Sequence, residues 1–407
     1  MKLNRKTKLK SKIRKLKIPY SDIEKIVNAI KAKKGQIKLI GGIVRDIILD
    51  QQISREIDLV TNIQPQNVIE CLESHKIEYL KIGFKYGCVT AKINGELIEI
   101  TSLRKDITND GRWPVVQYTK DWKEDAKRRD FTINAIYLDF NGDIFDPQDG
   151  IKDLQNNTVV FIGNAVERVK EDYLRILRFF RFTFLYSKKF DEESLNACIE
   201  NKKNLKKLSF ERRLKEILKI LILKNFEKNF FLLHRHGFFK EIFEIEINTK
   251  NVKEFFHIER KLANVSEIRR IKFLFQSRKS KFLEVLSKKD LKRITNNFNI
   301  KDYRLNSLKK IIYCFGKDNV VDKLIFDAAD KKLTIIKLKK LINFVKSFVV
   351  PKLPLNGYDI KKLGFSEDRI IGDLKKKVEI WWIEKGLIPT KKECIIFLKG
   401  LPTCKGR

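Results

Sequence analysis

Two hydrophobic periodicities divide this chain, and their order constrains its fold more than any other feature. Between residues 22 and 145 apolar residues come in short runs and alternations, and from about residue 160 they recur at three- and four-residue spacing. Short alternation reads as half-buried strand, and the longer spacing as amphipathic helix. DIEKIVNAIKAKK, behind Ser21, is a helical run stopped by Gly35. IKLIGG is a short strand ending on two glycines, and EIDLVT and VTAKI alternate as strands. GELIEITSL follows an Asn94-Gly95 pair, a hairpin signal. RRDFTINAIYLDF is predicted as a helix-to-strand passage ending in a second turn, Asn141-Gly142. ERVKEDYLRILRFFRFTFLY, SFERRLKEILKILIL and FEKNFFLLHRHGFFKEIF then carry the helical spacing. Val350-Pro351-Lys352-Leu353-Pro354 and Gly357 break it before a last helical segment. The predicted fold class is an α/β head, a small mixed sheet with helices, followed by an all-α remainder.

Charge narrows the partners. The 407 residues carry 87 Lys+Arg against 52 Asp+Glu, a formal +35. So basic a chain repels itself unless a polyanion neutralises it, and nucleic acid is the leading candidate, ahead of an anionic membrane surface. No run of apolar residues is long enough for a membrane helix, so no membrane span is expected. Part of the Lys excess reflects a composition also rich in Ile, Asn and Phe, all with AT-rich codons; specific contacts are therefore sought at Arg, whose fork binds bidentately. Residues 1–17 hold nine Lys/Arg and no acid. They read either as a disordered basic arm or as an arm adding non-specific RNA affinity through counterion release. Six cysteines without a CxxC pair and four scattered histidines give neither a zinc pattern nor a disulfide framework. That usage fits a reducing, cytoplasmic setting.

The chemistry-bearing residues lie at the joins between these elements. Gly41-Gly42 opens the helix GIVRDIIL. Such a turn either serves packing alone or lets backbone amides approach an anion, with Arg45 one turn on to reach the same phosphate. Glu56 and Asp58 are two apart on EIDLVT, hence on one face of a strand. Paired carboxylates beside a phosphate cradle suit Mg²⁺. Glu99 offers a third carboxylate, or is a solvated strand residue. Arg129 pairs with an acid or holds phosphate, and Asp130 caps a helix or accepts a sugar hydroxyl. In EDYLRILRFFRF, Asp172, Arg175, Arg178 and Arg181 recur every third residue. On a continuous helix they form a polar ridge, either of ion pairs or of donors and acceptors for a nucleobase edge.

Taken in order, GGIVRD, the paired acids, RRDFTINA, FDPQDGIKDLQ, EDYLRILRFFRF and ERRLKEIL resemble the bacterial-type (class II) tRNA nucleotidyltransferases and bacterial poly(A) polymerases, members of the polymerase-β-like nucleotidyltransferase superfamily. The motifs span roughly residues 38–220. The resemblance implies a basic arm (1–20), a catalytic head (21–145), a nucleotide-binding neck (146–220), a body (221–350) and an RNA-binding tail (351–407) in a seahorse-like layout. It implies transfer of a nucleoside monophosphate to an RNA 3′-hydroxyl, with two Mg²⁺ ions and release of pyrophosphate. Gly42 and Arg45 match triphosphate-holding positions, Glu56 and Asp58 the metal acids, and Glu99 the third acid. Asp130 matches a ribose contact and Arg129 a nucleotide contact. Asp172 and Arg175 match an amino-acid template for CTP or ATP, and Arg178 and Arg181 continue its row. Glu56 departs from the family's aspartate, keeping the charge and adding a methylene. If it cannot ligate, the chain is an RNA-binding protein with a lapsed site.

Gly83, three residues, Gly87 and then Val89-Thr90 resemble the tRNA-type pattern. Poly(A) polymerases instead follow a glycine with paired basic residues and Phe, whereas Phe84-Lys85 follows Gly83. The expected activity is therefore CCA addition to tRNA from CTP and ATP, with polyadenylation as the alternative. TNDGRWPV (108–115) reads as a mobile loop, which in the family helps switch between C and A.

Overall fold

The computed structural model describes residues 2–14, 16, 20–51, 57–108, 115–223, 226–262, 265–276, 280–365 and 367–401. It divides into two compact units, Met1–Ile245 and Glu246–Arg407.

The first unit opens with α1 (Lys2–Ile13) and α2 (Tyr20–Ala32), then β1 (Ile37–Ile40), α3 (Gly42–Leu49), β2 (Asp58–Thr61), α4 (Pro65–Ser74) and β3 (Glu78–Leu80). β4 (Cys88–Ile93) and β5 (Glu96–Ser102) form the hairpin expected at Asn94-Gly95, where φ is 49° and 81°. Two successive positive φ values are what a tight hairpin turn of matching twist requires. β6 (Arg104–Thr108) and β7 (Val115–Tyr118) pair as a separate ribbon, and α5 (Trp122–Lys127) leads to β8 (Tyr137–Leu138) and β9 (Ile144–Phe145). The main sheet has the order β3-β4-β5-β2-β1-β8-β9. Only β2 and β5 run parallel; the other neighbours are antiparallel. One cluster of its core joins buried Ile40, Val60, Leu103, Ala126, Tyr137 and Ile162.

The basic N-terminus is not a disordered arm. Leu9 and Ile13 are buried, and that apolar stripe gives α1 a face to dock; Leu16, beyond the helix, is buried too. Lys12 reaches Asp50 at 2.8 Å and donates to the Ile47 carbonyl, while Lys6 reaches Asp143 at 2.6 Å. The helix also lies against the β8–β9 turn, where a Cβ on Gly142 would fall 2.5 Å from the Lys6 carbonyl oxygen. RRDFTINA contains no full helix, only a 3₁₀ turn at Thr132–Asn134 before β8.

Helices follow: α6 (Gly150–Asn156), α7 (Ala165–Glu171), α8 (Leu174–Tyr186), α9 (Glu192–Asn201), α10 (Phe210–Leu221), α11 (Phe226–Arg235) and α12 (Phe238–Phe243). The phenylalanines of α8 fuse it to the head. Phe131, Phe161 and Phe179 are buried, with centroids 4.8 Å apart for the first pair and 5.6 Å for the second. Such aromatic contacts hold a helix at fixed height and rotation against a sheet.

Among its described residues the second unit holds helices joined by loops and no strand. Its interior contains a charged lattice. Glu259 is fully buried and accepts from Arg270 Nε at 2.6 Å and Arg269 Nη1 at 3.3 Å; Arg269 in turn donates to buried Asp322 at 2.7 Å. Removing one member strands a buried charge, so Glu259→Ala is expected to lower stability by about 3–5 kcal/mol, read as a lower midpoint in urea unfolding. Residues 348–356 are non-helical, as the two prolines predict. The last helices, Gly357–Lys361, Asp368–Glu384 and Lys391–Lys399, close over buried Leu374, Val378, Trp382 and Leu398.

Candidate active site

β1 ends beside β2, with Ile40 opposite Asp58, and β2 runs parallel to β5 with Asp58 opposite Glu99. The two acids are therefore lateral neighbours on adjacent strands. Glu99 is exposed, while Ile98 and Ile100 on the other face are fully buried, as the strand period predicts. Glu56 lies outside the described residues. Among the described residues no group of three or more His, Cys, Asp or Glu is gathered as a metal cluster; Asp58 and Glu99 are the pair this site brings together.

The glycine turn packs directly on this pair. Gly41 has φ 77° and ψ −138°, and a Cβ there would sit 3.2 Å from Asp58 Oδ2. α3 starts at Gly42 without a side-chain cap, so its first amides are not satisfied by a capping side chain. Gly41→Ala is expected to cost about 1–3 kcal/mol of stability through backbone strain alone, measurable by chemical denaturation.

These elements line one open cleft of about 490 Å³, whose lining includes Gly41, Asp58, Glu99, Arg104, Arg128 and Arg129. Cys88 also lines it; burial and then the hydrogen-bonded Glu99 carboxylate push its thiol up, so it stays neutral.

Arg128-Arg129-Asp130 is held from every side. Fully buried Asp125 takes Arg128 Nε at 2.8 Å, Arg129 Nη2 at 2.8 Å and the Tyr137 hydroxyl at 2.8 Å. Burial alone would raise the Asp125 carboxyl, but Arg129 and Arg128 outweigh it and hold it well below the usual range. Arg168 on α7 donates to the carbonyls of Arg128 at 2.7 Å and Arg129 at 2.5 Å. Asp130 Oδ1 accepts from Phe131 N at 2.9 Å and Asn134 Nδ2 at 2.7 Å, and Oδ2 from Arg178 Nε at 2.6 Å. Burial opposes its ionisation, yet Arg178 and Asn134 hold it well below the usual range. It ties the chain before the 3₁₀ turn to the Asn134 side chain, and keeps further acceptor capacity on Oδ2.

Arg45, one turn into α3, is enclosed. It is 5% exposed, donates to Asn134 Oδ1, and packs its guanidinium 4.9 Å from Phe182 and 5.0 Å from Tyr186. It is not among the residues lining the cleft. The aromatic wall of α8 draws its cation away from the turn it was expected to serve.

The Asp172 row is corrected. Asp172 is extended (φ −153°, ψ 107°) between α7 and α8, because its Oδ1 accepts from Leu174 N at 3.0 Å and starts the next helix. Only Arg175, Arg178 and Arg181 share α8. Asp172 pairs with Arg212 of α10 at 2.8 Å, and Arg175 with Glu171 and the Arg168 carbonyl. Arg178 pairs with Asp130, and Arg181 with Glu216 of α10 at 2.7 Å.

The sequence reading missed Asp125, Asn134, Arg168, Arg212 and Glu216. The spacing of Asp125 from Arg128 and Arg129 is the helical ion-pair spacing, a signal that was present. Of TNDGRWPV, residues 109–114 lie outside the described residues.

Residues 37–160 match the model of the Poly A polymerase head domain, and residues 189–247 that of the probable RNA and SrmB-binding site of polymerase A. The chain is 31% identical to the human mitochondrial CCA tRNA nucleotidyltransferase 1 over 391 residues, 89% of this chain and 86% of that one. It is 35% identical to the CCA-adding enzyme of Enterococcus faecalis over 205 residues, 50% of this chain and 49% of that one. Among solved structures, the Bacillus stearothermophilus CCA-adding enzyme in complex with CTP superposes with a TM-score of 0.68 at 21% identity, covering 93% of this chain and 95% of that one. The fold, a mixed-sheet head followed by helices, is shared with it. No helix among the described residues is long and apolar enough to cross a membrane.

Proposed function

The chain belongs to the CCA tRNA nucleotidyltransferase family, and on that premise we propose that it adds CCA to tRNA 3′ ends from CTP and ATP. The observation that carries the reading is the register of Asp58 against Glu99, beside the Gly41-Gly42 turn, in a cleft that Arg128 and Arg129 also line. Carboxylates and guanidiniums in one cleft suit a nucleoside triphosphate with its metal ions.

The family is metal-dependent, and we assign the ion as Mg²⁺. Two carboxylates side by side on a rigid sheet fit hard cations that keep waters and substrate phosphates as remaining ligands. Asp58, Glu99 and Glu56 would hold them. When bound, the ions lower the pKa of the RNA 3′-hydroxyl and offset charge on the leaving pyrophosphate.

The chain's own residues bind and orient. The amides at Gly42 and the guanidinium of Arg129 take triphosphate oxygens, and Asp130 accepts from the ribose. Asp172 and Arg175 face the base and offer it an acceptor and donors while keeping their pairs with Arg212 and Glu171. Arg178 and Arg181, braced by Asp130 and Glu216, keep that row in place, and Arg45 steadies Asn134 beneath it. The RNA 3′-oxygen attacks the α-phosphorus, the bond to the bridging oxygen breaks, and pyrophosphate leaves. We further propose a head (21–145), neck (146–220), body (221–350) and RNA-binding tail (351–407), acting on tRNA in the cytoplasm. In this reading the arm (1–20) acts as a brace, supported by the pairs Lys6–Asp143 and Lys12–Asp50 of α1.

The test is incubation of end-truncated tRNA with CTP plus ATP and sequencing of the product ends. Termini completed to CCA are expected. A long adenylate tail on generic RNA would instead assign poly(A) synthesis. Tight tRNA binding with no pyrophosphate release would mean a lapsed site.

A further inference from the structure

Asp125 sits at a convergence that nucleotide binding alone does not require it to have. It lies in α5, away from the Asp58–Glu99 wall, with no side-chain exposure. Besides Arg128, Arg129 and Tyr137 it accepts from the backbone amide of Arg104 at 3.3 Å, the first residue of β6. One carboxylate thus ties both cleft arginines to the root of the β6–β7 ribbon.

The pairing geometry sets what those arginines can still do. Asp125 engages each through Nε and Nη2: 2.8 and 2.7 Å for Arg128, 3.2 and 2.8 Å for Arg129. The far edge of each planar fork, carrying Nη1, is turned away from the carboxylate. A guanidinium held by one edge presents the opposite edge at a fixed angle, the arrangement suited to phosphate oxygens. An arginine without such a brace must give up its rotamer freedom when the ligand arrives, which weakens binding. The guanidiniums are nevertheless within reach of the cleft, with side chains 16% and 18% exposed.

We infer that Asp125 is a positioning residue for the nucleotide: it fixes Arg128 and Arg129 in the poses from which they take the triphosphate. This rests on the assignment of the cleft to nucleotide binding. The effect is on ground-state capture of CTP and ATP alike, since it acts on the triphosphate and not on the base.

The experiment compares kcat and KM for CTP, ATP and tRNA in Asp125→Asn, Arg129→Met, the double variant and Tyr137→Phe. Asp125→Asn is expected to raise the KM of both nucleotides about tenfold or more, the scale of a lost charged hydrogen bond. The kcat at saturation and the KM for tRNA change much less. In the double variant the two effects are expected to be well short of multiplicative, because Asp125 acts through Arg129. Tyr137→Phe removes a single donor to Asp125 Oδ2 and keeps the ring, so its KM shifts the same way by a smaller factor. Should Asp125→Asn fail to fold, Tyr137→Phe decides: an unchanged nucleotide KM overturns the proposal. So does a folded Asp125→Asn with ordinary KM while Arg129→Met is impaired, or full multiplicativity in the double variant. An Arg129→Met enzyme with ordinary KM would overturn the cleft assignment itself, and the Asp125 role with it.

Discussion

Asp58→Ala is expected to abolish nucleotide transfer, lowering the single-turnover rate by about three orders of magnitude or more, while tRNA affinity holds. Asp58 opens β2, stands level with Ile40 and Glu99, and brings Oδ2 to the Gly41 backbone. Removing it leaves Glu99 alone among the described carboxylates of this wall. A metal ion contributes several kcal/mol to a phosphoryl-transfer transition state, and each 1.36 kcal/mol is about a factor of ten. RNA affinity has a different origin, the dispersed excess of Lys and Arg that gives the chain its +35. The measurement pairs rapid-quench transfer of CMP to end-truncated tRNA with a binding titration at fixed salt. Substantial activity in the variant would sink the metal assignment; loss of tRNA binding in step with activity would point to unfolding instead.

Part of that wall was legible in the sequence because its determinants are local. A strand that ends in Gly-Gly before a helix needs no knowledge of distant residues, whereas the register that sets Asp58 beside Glu99 does, and the pairing of Glu56 with Asp58 lies outside the described residues. Glu99 was placed by the two-residue strand period, with Ile98 and Ile100 buried on the opposite face. The head-then-helices division was legible for the same reason. The surroundings of Arg45 were not legible, because Phe182 and Tyr186, far along the chain, close over it. No spacing rule reports a tertiary cation–aromatic contact. The row from Asp172 to Arg181 failed differently. Its spacing is helical throughout, but an aspartate can satisfy a backbone amide with its own side chain, and Asp172 does so at Leu174, ending one helix and opening the next. The N-terminus reads as an arm by charge, yet Leu9 and Ile13, four apart on α1, are buried and give the helix an apolar face to dock. Asp125 pairs with Arg128 and Arg129 at the three- and four-residue spacing of a helix, so its ion pairs are legible in the sequence, while its contact with Tyr137 is not.

The break at Asp172 changes how base selection should be tested. The carboxylate does not ride on α8 with Arg175; it is held at the head of that helix by Leu174 N and from the side by Arg212 at 2.8 Å. Both contacts leave it an acceptor, and an acceptor is what the exocyclic amino groups of cytosine and adenine require. Arg175, one turn into α8 and tied to Glu171, supplies donors for a ring nitrogen. Uracil and guanine present a carbonyl where the amino group would be, setting acceptor against acceptor. A bidentate contact of this kind is worth about 1–3 kcal/mol of discrimination, or about 5- to 150-fold. Asp172→Ala is therefore expected to shrink the kcat/KM preference for CTP and ATP over UTP and GTP by a factor in that range. It also frees Arg212, whose donors then face the base and favour the carbonyl of the wrong nucleotides. Arg129→Met is the contrast, weakening all nucleotides alike, because it acts on the triphosphate. Measuring kcat/KM for each nucleotide in both variants separates the two roles. An unchanged preference in Asp172→Ala would reduce this carboxylate to a helix cap and ion-pair partner of Arg212, and would move base selection elsewhere on α8.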